Sequence, residues 1–258
     1  MKKIIFLFFL SLQISMAQHY DLSWKTDGII NGIGIPASGI LYYFETQNEK
    51  ITPDEIAGLT RNDVNILDRS ATYNFSHSSA EASDYLVRIT AAAPLLLFLD
   101  GKMKNDRLTY AVMFLENLMF SGVMANISKE SIKRYRPFVY NPDIETSVKL
   151  AADNRRSFFS GHTTTAFSSA VFLATVFNEL NPNSQYKFYV WAGSILAASS
   201  VGYLRYSAGK HYPTDVLAGA IVGSALGYLI PYVHKVKTTN DDLTFSLSYP
   251  IITLSYQF

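Results

Sequence analysis

Three short runs in this 258-residue chain carry side chains suited to work on an anion. The first is Lys129-Glu130-Ser131-Ile132-Lys133-Arg134-Tyr135-Arg136-Pro137. The second is Phe159-Ser160-Gly161-His162, and the third runs from Leu204-Arg205 through His211 to Asp215. Arg136 and Arg205 can offer planar bidentate forks, and Lys129 a point charge. Ser160 and Gly161 stand where a helix begins, so unpaired N–H groups and the positive end of its dipole face an anion. Gly161 lets the backbone come close. A neutral histidine is a competent nucleophile toward phosphorus, and an acid on its other nitrogen fixes the tautomer. His211 and Asp215 fit that pair, with Pro213 marking a helix start between them, and His162 is free to protonate the leaving oxygen. This set is what phosphoryl transfer without a metal needs, because positioning and charge stabilisation do most of the catalysis.

Each run alone is weak. A histidine at a helix start is more often a cap, a basic run more often flanks a membrane, and His-x3-Asp occurs on any helix. Nine specified residues at fixed local spacings, each with about a one-in-twenty background, make a strong combination. His19, His77 and His234 match no motif and read as surface residues.

In this order, Lys129-x6-Arg136-Pro137, Ser160-Gly161-His162 and Arg205-x5-His211-x3-Asp215 resemble the three motifs of the type 2 phosphatidic acid phosphatase (PAP2) superfamily. That superfamily also includes bacterial non-specific acid phosphatases and vanadium-dependent haloperoxidases. The resemblance covers roughly residues 85–235. It implies an α-helical bundle and, in the phosphatases, a phosphohistidine intermediate with no metal or other cofactor. It implies phosphate binding by Lys129, Arg136, Ser160, Gly161 and Arg205. By the same resemblance His162 is the general acid, His211 the nucleophile and Asp215 its orienting partner. Two positions depart from the pattern. Phe159 stands where proline is usual, and Leu204 replaces a serine, which removes a hydroxyl near the phosphate site.

The elements that must hold these groups are apolar. Hydrophobic residues make up 48% of the chain and charged residues only 17%, so it lacks a soluble enzyme's usual charged coat. A net charge of +1 excludes nucleic-acid binding through bulk charge, and the absence of cysteine excludes disulfides, thiolate nucleophiles and zinc–cysteine sites. Apolar stretches fall at Ile29–Phe44, Ile89–Leu99, Leu108–Ile127, Thr163–Phe177, Phe188–Leu204 and Val216–Val233. Gly219, Gly223 and Gly227 form a small-xxx-small ladder suited to close helix packing. The fold expected is all-α, a bundle of five to six core helices, with Leu243–Tyr249 and Ile251–Phe258 alternating like a short C-terminal β-hairpin. In an up-and-down bundle the three runs share one end. Thr52-Pro53-Asp54-Glu55 reads as the start of a short helix, and Asn62–Asp84, rich in Ser, Asn and Asp, as a long surface loop.

Four segments follow. Residues 1–17 read as a signal peptide cut after Ala17, 18–84 as a helical and loop region on the core, 85–235 as the phosphatase core, and 236–258 as a tail. Ile29–Phe44, with Pro36 and its glycines, is the poorest spanning candidate. Five spans after a cleaved signal place the three runs in the periplasm, whereas a sixth places them in the cytoplasm. Lys102, Lys104, Arg107, Lys187, Lys235 and Lys237 at the opposite end favour the periplasmic arrangement. The expected function is a metal-independent phosphatase acting on a lipid phosphate or pyrophosphate in the inner membrane. The alternatives are a soluble periplasmic non-specific acid phosphatase acting on small phosphate esters, a vanadate-dependent haloperoxidase and a non-enzymatic membrane bundle. Nucleic acid is not an expected partner.

Overall fold

The computed structural model describes residues 19–236 and the backbone of residues 243–248 and 251–256. Eight α-helices occur among them: α1 (Trp24–Thr46), α2 (Pro53–Ala57), α3 (His77–Ala92), α4 (Arg107–Ile132), α5 (Thr146–Lys149), α6 (Gly161–Leu180), α7 (Lys187–Ser207) and α8 (Pro213–His234). Two strands, β1 (Leu243–Ser248) and β2 (Ile251–Tyr256), pair antiparallel with Leu243 opposite Tyr256. The fold is thus a helical bundle with a C-terminal hairpin. The expected cleavage after Ala17 falls outside the described residues.

Local chemistry sets the helix ends. Thr52 and Glu55 form a reciprocal capping box and Pro53 takes the first position of α2, as their sequence suggests. Ser160 caps α6 by accepting the Thr163 N–H. At α8, Pro213 lies in the first turn and Asp215 accepts the Tyr212 N–H at 3.0 Å. The cap of α4 is Lys133, in the left-handed conformation with φ 45°, which turns the chain out toward Arg134 and Arg136.

Packing centres on α6, which lies between α8, α7, α4 and α3. Its closest partner is α8, because the glycine ladder removes the side chains that would hold them apart. A Cβ on Gly219 would stand 2.8 Å from the Ser160 carbonyl oxygen, and one on Gly223 or Gly227 would collide with the carbonyls of Thr164 or Ser168. Behind this seam Tyr110, Met113, Phe114 and Phe172 form an aromatic and thioether core, with the Tyr110 hydroxyl donating to the Pro94 carbonyl at 2.6 Å. Around the outside Leu115, Leu196, Leu217 and Ile221 are more than 60% exposed. The segments His77–Leu99, Arg107–Tyr140 and Pro213–His234 are long and apolar enough to cross a membrane.

One expectation is corrected. The loop read over residues 62–84 ends at Ser76: after two short 3₁₀ turns, α3 starts at His77 and includes Asp84. Polar residues there face the motif end, so no apolar period announces the helix. α1 continues through Pro36 and runs the length of the bundle beside α4. Tyr20, just before it, bridges to Lys235 beyond the far end of α8, while Asn48, just after it, reaches Glu130 near the motif end of α4. Among the described residues six long helices therefore make up the bundle, within the five to six expected, although α1 is not among the segments apolar enough to span.

The ladder makes a paired test. Gly223→Ala should destabilise the protein by about 1–3 kcal/mol through overpacking. Gly193→Ala, where a Cβ meets nothing within 4 Å, should be neutral or stabilising by up to about 1 kcal/mol. Thermal unfolding of both variants in detergent measures the contrast.

Candidate active site

All eight residues singled out from the sequence lie at one end of the bundle, on four surrounding segments. Lys129 occupies the last turn of α4, and a Cβ built on Gly161 would sit 3.5 Å from its Nζ. The first and second runs therefore meet where the α6 dipole is positive. Arg136 is buried, anchored by its N–H to the Asn154 carbonyl at 2.8 Å and by Nε to the Asp153 carbonyl at 3.0 Å. The second and third runs are joined by the Ser160 N–H, which donates to the Asp215 carbonyl at 3.1 Å. The turn between α7 and α8 needs Gly209: its φ is +69°, and a side chain there would collide with the Asn74 carbonyl.

The two histidines are held by different groups. Nε2 of His162 lies 2.8 Å from Asp84 Oδ1, and Arg205 Nη1 reaches the same oxygen at 3.1 Å. Arg205 also contacts the Ser83 hydroxyl at 3.1 Å, so α3 supplies a hydroxyl beside this arginine although Leu204 does not. With Nε2 of His162 occupied by Asp84, Nδ1 is the nitrogen left for another partner. In His211 the assignment is reversed. Its Nδ1 lies 2.7 Å from the Ser157 carbonyl, so it carries the hydrogen and Nε2 keeps the lone pair.

Here the geometry differs from the expected His–Asp bond. Asp215 Oδ2 is 3.6 Å from His211 Nδ1, within ionic reach but beyond hydrogen bonding. Ser157 stands between them, its hydroxyl donating to Asp215 at 2.6 Å while its carbonyl accepts from His211. Asp215 is also bound by Arg134 at 2.6 Å, and Arg134 pairs with buried Asp68 at 2.7 Å. Asp68 in turn accepts the Thr214 N–H at 3.0 Å and its hydroxyl at 2.7 Å, and Arg134 lies 3.7 Å over the Tyr212 ring. One guanidinium thus compensates two buried carboxylates at the start of α8.

Electrostatics follow from this crowding of cations. Burial pushes the His211 imidazole down to about 3, with Arg136 and Arg205 adding to the effect against Asp215. Burial likewise takes His162 down to about 4, aided by Arg205 and opposed by Asp84. Lys210, beside His211 and 4.9 Å over the Phe138 ring, is brought down to about 8 by burial and by the repulsion of Arg136 and Arg205. Sequence reasoning missed Asp84, Ser157, Arg134 with Asp68, and Lys210. Arg134 and Lys210 lay inside quoted runs, but Asp84 lay in the supposed loop. His77 is exposed, as read, and His19 half-buried. His234 is not a surface residue: only 2% exposed, it lies inside the bundle.

A sequence profile of the PAP2 superfamily matches residues 110–239, half of the chain. The chain belongs to the PAP2 superfamily. It is 30% identical over 154 residues to the lipid A 4'-phosphatase of Porphyromonas gingivalis, covering 58% of this chain and 60% of that protein. Over 190 residues it is 27% identical to the probable diacylglycerol pyrophosphate phosphatase 1 of Schizosaccharomyces pombe, covering 63% and 68%. The match thus spans about two thirds or less of these relatives' own lengths. A transmembrane PAP2-type phosphatidylglycerolphosphate phosphatase from Bacillus subtilis has a solved structure that aligns over 84% of this chain and 99% of its own, with 21% identity and a TM-score of 0.49. The apolar exterior and the three segments able to cross a bilayer make this PAP2 protein a membrane protein.

The depressed His211 value has a pH signature. Its neutral form is present above about pH 3, whereas an ordinary histidine would lose roughly fifteenfold of its neutral form between pH 6.5 and 5. Corrected for substrate ionisation, kcat/KM should fall less than about threefold over that range. The pH profile on a soluble phosphate ester measures it.

Proposed function

We propose that this PAP2 protein hydrolyses a phosphate or pyrophosphate monoester of a membrane lipid through a phosphohistidine on His211. Nε2 of His211 attacks phosphorus, the bond to the ester oxygen breaks, and His162, reacting as the imidazolium with its Nε2–H on Asp84, delivers its Nδ1 proton to that leaving oxygen. Water then attacks the phosphohistidine with His162 as base, releasing phosphate and restoring both histidines. Lys129, Arg136, Arg205 and the Gly161 N–H hold the equatorial oxygens, with Ser160 capping the helix that presents that amide, so these side chains supply the charge a metal would otherwise provide. Asp215 orients His211 by way of Ser157. The observation that carries the reading is the lone pair on His211 Nε2, held beside arginines and a helix N-terminus at one end of an apolar bundle. The lipid choice draws on the names of the relatives and on the apolar exterior, which also weighs against a soluble phosphatase.

The histidine roles separate by leaving group. His211→Ala should abolish turnover of every ester. His162→Ala should lose about 10²–10⁴ in kcat on an alkyl phosphate, and far less on p-nitrophenyl phosphate, whose leaving group needs little protonation. Steady-state rates on the two esters, with folding checked by thermal unfolding, test the pair. Equal losses on both esters for His162→Ala would remove it as the general acid.

The orientation proposed is a periplasm-facing site, supported by Lys25, Lys102, Lys104, Arg107, Lys187 and Lys235 at the other end. A native chain without cysteine makes the test direct. An impermeant maleimide on intact cells should label Asp143→Cys at the site end and not Asn183→Cys at the other, and the reverse pattern would invert the orientation.

A further inference from the structure

A second cluster of ionisable groups lies inside the bundle, far from the motifs. It joins Asp27 and Asn31 of α1, Glu116 of α4 and His234 at the end of α8. At the helical rise, His234 is about 28 Å along α8 from Asp215. Glu116 is 1% exposed and His234 2%. His234 Nε2 lies 3.1 Å from Asp27 Oδ1 and 3.3 Å from Glu116 Oε2, and all three atoms fall within 4.8 Å of one another. Nδ1 of His234 faces the Ile230 carbonyl at 2.8 Å and so carries its hydrogen, which leaves the Nε2 lone pair free to act as a ligand. Asn31 donates to Glu116 Oε1 at 2.6 Å, steadying the carboxylate.

Glu116 Oε2 nonetheless has no hydrogen-bond partner, although it is buried. Two carboxylate oxygens and an imidazole lone pair converge on one interior point. A proton on Nε2 directs its one hydrogen to Asp27, leaves Glu116 Oε2 unpartnered and buries a net negative charge. A divalent cation satisfies all three atoms and balances both carboxylates. Bonds of ~2.0–2.2 Å to imidazole and carboxylate set tetrahedral ligand–ligand edges of roughly 3.3–3.6 Å, close to the two separations found here. We propose that Asp27, Glu116 and His234 form a zinc-type divalent metal site that clamps α1 to α4 and α8. The clamp falls where it is needed, because Gly34 is the one buried residue within α1.

The test uses full-length, tag-free protein in detergent, stripped with chelator and titrated with zinc or with cobalt as a spectroscopic probe. One equivalent of zinc should bind per chain, the unfolding temperature should rise, and cobalt should give the visible bands of a four- or five-coordinate site. Glu116→Gln and His234→Gln should weaken zinc by more than about 100-fold, and Asp27→Asn, at the more exposed edge, provides a ligand change that spares the core. His19→Gln, beside the nearby Asp106, should bind zinc as the unaltered protein does. Chelation should leave the rate on p-nitrophenyl phosphate unchanged below the unfolding temperature, separating this site from the catalytic one. Absence of stoichiometric zinc in the unaltered protein would overturn the proposal. So would undiminished binding in folded Asp27, Glu116 and His234 variants.

Discussion

The motif end depends on how closely α8 can lie against α6. Backbone meets backbone along the glycine ladder, and that contact sets the Ser160 N–H against the Asp215 carbonyl. From this single register follow the position of the α6 N-terminus, the start of α8 and the loop that presents His211 between them. A separation even one methyl group wider would move the anion-facing amides away from the imidazole. Helix packing and site geometry are therefore one constraint.

Charge imposes the second constraint. Gathering Lys129, Arg136, Arg205 and Lys210 around buried histidines is unfavourable without an anion, and the fold moderates this with acids placed behind the cations. Asp153 backs Arg136, Asp84 backs Arg205, and Arg134 is consumed by Asp68 and Asp215. Buried His211 responds by remaining neutral, the state in which Nε2 keeps its lone pair.

How much of this was legible in sequence varied with distance along the chain. Groups within one run, such as Ser160 capping α6 or Pro213 opening α8, follow from local spacing. The apolar stretches located α4, α6, α7 and α8, and the glycine ladder marked the seam. Asp84 was hidden because α3 turns a polar face to the site and shows no apolar period there. Ser157 was invisible as the link to His211, since a carbonyl carries no sequence identity. Asp68 meets Arg134 across 66 residues, and His234 meets Asp27 across 207, separations that spacing rules do not reach. Pro36 and the glycines made Ile29–Phe44 the poorest spanning candidate, and the helix nonetheless continues through them beside α4.

The distance in sequence between the ends of α1 and α8 also sets an order of events during synthesis. α1 leaves the ribosome first, carrying Asp27 and Asn31 with few apolar contacts of its own. Its partner on α4 appears about 85 residues later, and His234 only after nearly the whole bundle has been made. Until then Asp27 and Asn31 have only their local partners, the Ser23 N–H and the Asp27 carbonyl. Of the described helices, α1 is thus the first translated and the last to acquire its full set of neighbours.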